Sequence, residues 1–202
     1  MKNIVKWLQS IRQIRAAYAE VHGRKLRLMY PRYFTEKISW RKLFDDNPLF
    51  ILFSDKLATR DWISDRIGTK YLAPLVWSGT AEAIPFAQFE PPYFLKSSHA
   101  SGHSIMVTTA NLSETEAFQE QAAAWLQIDW FDINGERGYK KIPPRLMVEK
   151  ALVDENGERP LERKFFVFDG TVTAVNTVFV EDGALRSGAF PYPGLEVPWL
   201  AF

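Results

Sequence analysis

Lys96 closes an apolar run, Tyr93-Phe-Leu, and opens a loop of small and hydroxyl residues, Ser97-Ser-His-Ala-Ser-Gly-His-Ser104. Ile105-Met-Val107 then begins a second apolar run. The pattern predicts strand, loop, strand, with one fixed positive charge at the mouth. Small residues let backbone N–H groups approach an anion, and a lysine adds a point charge. The chemistry suited to that arrangement is polyphosphate binding. On its own, the segment reads more readily as a Ser/Gly hairpin with an incidental lysine.

Three further clusters have the residue types for the same chemistry. Asp55-Lys56 opens a predicted helix, with Arg60 one turn later on a neighbouring face. Glu149-Lys150-Ala-Leu152 ends a predicted strand. Glu162 and Lys164 enter a hairpin two residues apart, on one strand face. Each reads singly as ordinary solvated charge. For His99 and His103, hydrogen bonding within a phosphate loop is favoured over a zinc site, because His22 is remote in sequence. Asp45-Asp46 reads as a solvated helix end. Trp125, Trp130, Phe131 and Tyr139 read as core rather than a sugar platform.

The elements that must position these groups alternate helix and strand. Helices are expected at 2–21, stopped by Gly23, at 35–46, and at 55–67 with Ser54 or Asp55 as cap. Pro48 is read as a break. Residues 71–77 are extended, and Pro85, Pro91 and Pro92 lie in a connector leading to the Lys96 strand. Ser113 and Glu116 form a capping-box pattern for a helix over 113–128. Residues 129–144 read as loop, and Leu146–Val153 as a strand with connector. Asn156-Gly157 is a turn signal. Arg163–Phe168, Asp169-Gly170 and Thr171–Val175 make the clearest hairpin.

Composition sets the bounds. A chain of 202 residues, 47% hydrophobic and 14% aromatic, can bury a core and is not disordered. Without cysteine there is no disulfide, thiol nucleophile or thiolate metal site. No apolar run reaches membrane-spanning length, so the expected location is cytoplasmic. Charge is uneven: residues 1–32 carry eight Lys/Arg against Glu20, whereas the whole chain is +1. The first helix is amphipathic as well as basic. It reads either as docked on its own domain or as peripheral to an anionic membrane surface or a membrane-bound partner. Nucleic acid is not expected, since the basic residues sit at one end with no accompanying motif.

The order of motifs resembles the ATP-grasp superfamily, and more closely its TupA-like branch, found in bacterial operons for teichuronopeptide and other surface polysaccharides. The similarity runs over about residues 30–180. It is carried by Phe34-Thr-Glu-Lys-Ile-Ser-Trp40, Ser54-Asp-Lys-Leu-Ala-Thr-Arg60, Ile67-Gly-Thr-Lys-Tyr-Leu-Ala-Pro-Leu75, the Phe94–Ser104 segment, Tyr139–Glu149 and Lys164–Gly170. The resemblance implies an α+β, ATP-grasp-like fold. Its expected parts are a basic N-terminal helix (1–30), a helical and extended segment (31–88), a small lobe (89–152) and the incomplete start of a large lobe (153–202).

It also implies roles for the residues. Lys56, Lys96 and Lys164 would serve the phosphates of ATP, and Ser98, His99, Ser101 and Gly102 would belong to the loop folding over them. Glu149 would accept from the adenine amino group, and backbone groups of Lys150 and Leu152 would form the hinge. Met147 and Leu152 would flank the ring, and Glu162 would hold the ribose. The family's Mg²⁺ ligands lie on late strands. Here Gly183–Phe202 offers only Glu196 and no Glu-x-Asn pattern, with Glu181 and Asp182 as substitutes that no spacing supports. The chain is therefore expected to be C-terminally short: half of a split enzyme, a nucleotide-binding remnant, or a chain completed by another subunit. The implied reaction is carboxylate–amine ligation through an acyl phosphate. The alternative is an inactive adapter or fragment of a polysaccharide-synthesis complex, docked at the inner membrane face through the basic helix.

Overall fold

A computed structural model describes residues 2–155, 160–181 and 184–191, so Asn156-Gly157, Asp182 and Glu196 lie outside the described residues. The chain divides into two compact units, Met1–Ala151 and Leu152–Phe202, each of mixed or strand structure.

The first unit is built on one antiparallel sheet. Its strands are β1 (Leu75–Gly79), β2 (Tyr93–Ser97), β3 (Ser104–Val107) and β4 (Leu146–Lys150), in the order β1-β4-β2-β3. Strand side chains alternate between faces. Tyr93, Leu95, Leu146 and Val148 therefore share one face and are buried, with Val107 beside them. Phe118, Ala122 and Trp125 of helix α5 (Thr115–Leu126) complete this core. The opposite face carries Phe94, Lys96, Met147 and Glu149, paired in register as Phe94 with Glu149 and Lys96 with Met147.

Helices α1 (Lys2–His22) and α2 (Phe34–Phe44) enclose a second core of Ile14, Tyr18, Leu26, Leu28 and Leu43. Gly23 ends α1 as expected, its N–H donating to the Ala19 carbonyl at 2.9 Å. α2 starts at Phe34, ahead of Thr35, because Glu36 reaches back to accept from the Arg32 and Tyr33 N–H groups at 2.8 and 3.1 Å. Pro48 starts a helix where a break was expected. α3 (Pro48–Ser54) places it in the first turn, where no N–H is needed, and Asn47 Oδ1 caps the Leu49 N–H at 3.0 Å. α4 (Lys56–Ile67) is capped by Asp55, which accepts from the Leu57 N–H at 3.0 Å, and ends at Gly68.

Three other expectations change. The Ser113–Glu116 box is not formed: a 3₁₀ turn over Leu112–Glu114 precedes α5, and no side chain caps that helix. The stretch read as loop contains α6 (Trp130–Asn134) and a 3₁₀ turn at Arg137–Tyr139. β4 stops at Lys150 rather than Val153, its Lys150 N–H donating to the Pro74 carbonyl at 2.9 Å.

The second unit is a three-stranded meander of β5 (Glu162–Phe168), β6 (Thr171–Glu181) and β7 (Ala184–Pro191). Asp169 and Gly170 join the first two strands with φ of 48° and 75°, the left-handed pair that an Asp-Gly turn supplies. β7 falls in a tail whose Gly and Pro content concealed it.

α1 is held against α6 at Gly135. That residue has φ of +70°, and a Cβ there would stand 2.8 Å from the Ser10 Cβ. Gly135→Ala combines left-handed strain of about 1–2 kcal/mol with that close approach. A lowered melting temperature is expected, with amide exchange quickened in α1; unchanged protection would contradict this packing.

Candidate functional site

The polar face of β2 and β4 gathers charge. Lys96 Nζ donates to Glu149 Oε1, and Arg60 Nη1 donates to Glu149 Oε2 at 3.2 Å. The other arm of Arg60 donates to the Ala73 carbonyl. The Arg60 and Glu149 side chains are each 14% exposed, so this pair is largely shielded from water. Lys96 Nζ also lies 4.6 Å from the centre of the Phe94 ring, beneath it on the same face.

Lys56 ties α4 to the loop after β2. Its Nζ donates to the Ser97 carbonyl at 2.9 Å and to the Ala100 carbonyl, and its N–H donates to the Ser98 carbonyl at 3.1 Å. Burial pushes its pKa below the ordinary lysine value, and repulsion from Lys96 adds to that. Asp55 and Glu149 oppose the shift. Beside it, buried Asp55 accepts from Arg145 Nη2 at 3.1 Å. Four cations thus surround two carboxylates, an excess suited to an anion.

The loop itself is part buried and part open. Ser98 and His99 face inward. His99 packs beneath α5 with Nε2 3.2 Å from the Trp125 carbonyl, and burial holds its pKa below the usual histidine value. His103 stacks on Trp125, with ring centres 5.4 Å apart, and meets Trp130 edge-on. Its pKa is lowered by burial first, then by His99 and Lys56. Both imidazoles are therefore biased to the neutral form and engaged in packing. Ser101 and Gly102 are exposed, and nothing lies within 4 Å of where a Gly102 Cβ would stand. The tip of the loop is open at these two residues.

Among the remaining candidates, Lys150 has an exposed side chain at the end of β4, and Met147 is buried. Leu152, Glu162 and Lys164 belong to the second unit. Leu152 is exposed, and Lys164 pairs with Glu162 at 3.2 Å with both side chains more than half exposed. Asp45 and Asp46 pair with Arg41 and Arg137. Trp125 is core, with Trp130 and Tyr139 in edge contact at 6.2 Å. Among the described residues no group of three or more His, Asp or Glu could hold a metal ion.

Sequence reasoning places Arg60 on a face neighbouring that of Lys56 and gives neither it nor Arg145 a role in the site. Arg60 lies four residues after Lys56, a spacing that puts both on one helix face rather than neighbouring ones. Arg145 directly precedes β4, where a strand-end charge had no visible partner.

A family model described as TupA-like ATPgrasp matches residues 36–181. The chain belongs to the TupA-like ATP-grasp family. No curated protein and no solved structure shows a match.

The Lys56 environment is testable without ligand. Its ammonium form is disfavoured in the folded chain, so its contribution to stability rises with pH between the depressed value and the ordinary 10.5. Carbon-13 NMR titration of the lysine side chains should show a resonance with a lowered midpoint that disappears in Lys56→Met. A Lys56 midpoint at the ordinary lysine value would refute the assigned burial.

Proposed function

We propose that the chain binds ATP at the Lys56–Lys96–Glu149 face and takes part in carboxylate–amine ligation during synthesis of a bacterial surface polymer. The supporting observation is that two lysines from separate elements converge beside one glutamate, under a small-residue hairpin, in a member of this family. The donor set fits ATP: ammonium groups and open loop N–H groups for phosphate, and a carboxylate for the adenine amino group.

Binding would exchange partners. Lys96 would leave Glu149 for the phosphates, and the adenine amino group would take its place on the carboxylate. Arg60 would remain on Glu149, holding the carboxylate in place. Lys56 would favour its protonated form beside an anion, reversing the effect of burial. The Lys150 backbone, at the end of β4, would contribute to the hinge beside the adenine.

In the proposed reaction a substrate carboxylate oxygen attacks the γ-phosphorus and ADP leaves. An amine nitrogen then attacks the acyl carbon, phosphate leaves, and the amide forms with loss of a proton. This chain's residues contribute positioning and charge balance in a partly dry cleft. Mg²⁺, when bound, would supply further neutralisation at the phosphates. The described residues do not assemble a ligand set for it. A uronic or amino acid on a surface polymer is the acceptor class suggested by the family's setting, an inference by analogy.

Calorimetry with ATP and MgCl₂ tests the reading. Micromolar affinity is expected for the wild type, weakened about tenfold or more in Lys96→Ala, equivalent to roughly 1.4 kcal/mol. No heat at millimolar ATP, or equal affinity in the variant, would overturn it. Tight binding with no ADP released in the presence of candidate substrates would favour the adapter role.

A further inference from the structure

Helix α1 carries two side-chain stripes with different fates. Ser10, Ile14 and Tyr18, spaced four apart, are buried against the body of the first unit. Ile4, Leu8 and Arg12, also spaced four apart, lie about a third of a turn around the helix. Ile4 is 62% exposed and Leu8 48%, with Val5 beside them at 55%. Arg12 and Arg15 continue this side toward the C-terminus, are exposed, and form no ion pair among the described residues. The helix's one acid, Glu20, falls on another face. Lys6 is not part of this stripe, since it is tied to Asp132 at 2.8 Å.

Docking on the first unit accounts for the buried stripe and leaves three large aliphatic side chains exposed at one end of the helix. The charge beside them selects the partner: aliphatic groups next to unpaired arginines match an interface that is apolar within and anionic at its surface. A membrane leaflet containing anionic phospholipid has that profile. We infer that the exposed stripe of α1 docks the protein on an anionic lipid surface. Ile4, Val5 and Leu8 enter the headgroup–acyl boundary, and Arg12 and Arg15 meet lipid phosphates. The docked stripe keeps the helix attached to its domain meanwhile. No helix among the described residues is long and apolar enough to cross a membrane, so the association is peripheral to the bilayer through this helix. The inference is independent of the nucleotide reading.

Flotation of the full chain with vesicles tests it, using phosphatidylglycerol mixed with phosphatidylcholine, and phosphatidylcholine alone. Binding is expected to the mixed vesicles only, and to weaken as salt rises. Arg12→Glu/Arg15→Glu and, separately, Ile4→Ser/Leu8→Ser should each reduce partitioning by about tenfold or more while keeping the wild-type melting temperature, since all four residues are exposed. Equal binding to both vesicle types, no binding, or full binding by either variant overturns the inference. So does a dimer in sedimentation velocity that Ile4→Ser/Leu8→Ser dissolves without any lipid binding, which would assign the stripe to a second copy.

Discussion

The carboxylate of Glu149, shared between Lys96 and Arg60, is the contact on which the arrangement of the first unit's polar face depends. It joins neighbouring strands β2 and β4 to helix α4, and through the Ala73 carbonyl it holds the segment leading into β1. Removing one member of a mostly buried ion pair costs about 3–5 kcal/mol, because the charge left behind is poorly hydrated. Arg60 and Lys96 can therefore tolerate a change of partner far better than the loss of one. A ligand bringing both a hydrogen-bond donor and an anion can separate Lys96 from Glu149 and leave neither unpaired. Lys56 works under a related constraint. It is held by loop carbonyls and sits near a second lysine, so its charge is compensated only partly.

Much of this was legible where local chemistry decides the outcome. The small-residue loop after Lys96, the Asp55 cap and the Asp169-Gly170 turn each depend on neighbours in sequence. Strand alternation in Tyr93–Ser97 places Leu95 in the core and Lys96 outside it with no further information. The ordered motifs then identified the family, and residues 36–181 match its model.

What was not legible depends on contacts distant in sequence. Glu36 became a buried cap because residues behind it turn back over α2. Ser98 and His99 look like loop donors in a Ser/Gly-rich string, yet α5 covers them and the Trp125 carbonyl engages the imidazole. Arg60 was seen as a helix charge, but its partner is 89 residues away. Pro48 reads locally as a break because proline interrupts helices, but with Asn47 capping before it, it begins one. For α1, amphipathicity alone could not separate docking from exposure, since the helix has one apolar stripe for each.

The central claim is that Lys56 and Lys96 face the phosphates of one bound nucleotide. An acyl-phosphate derivative of ATP transfers its acyl group to lysines beside the phosphates, and mass spectrometry then reports the modified positions. Acylation of Lys56 and Lys96, suppressed by excess ATP, is the expected result. Acylation confined to other lysines, or the same pattern with and without ATP, would contradict the account.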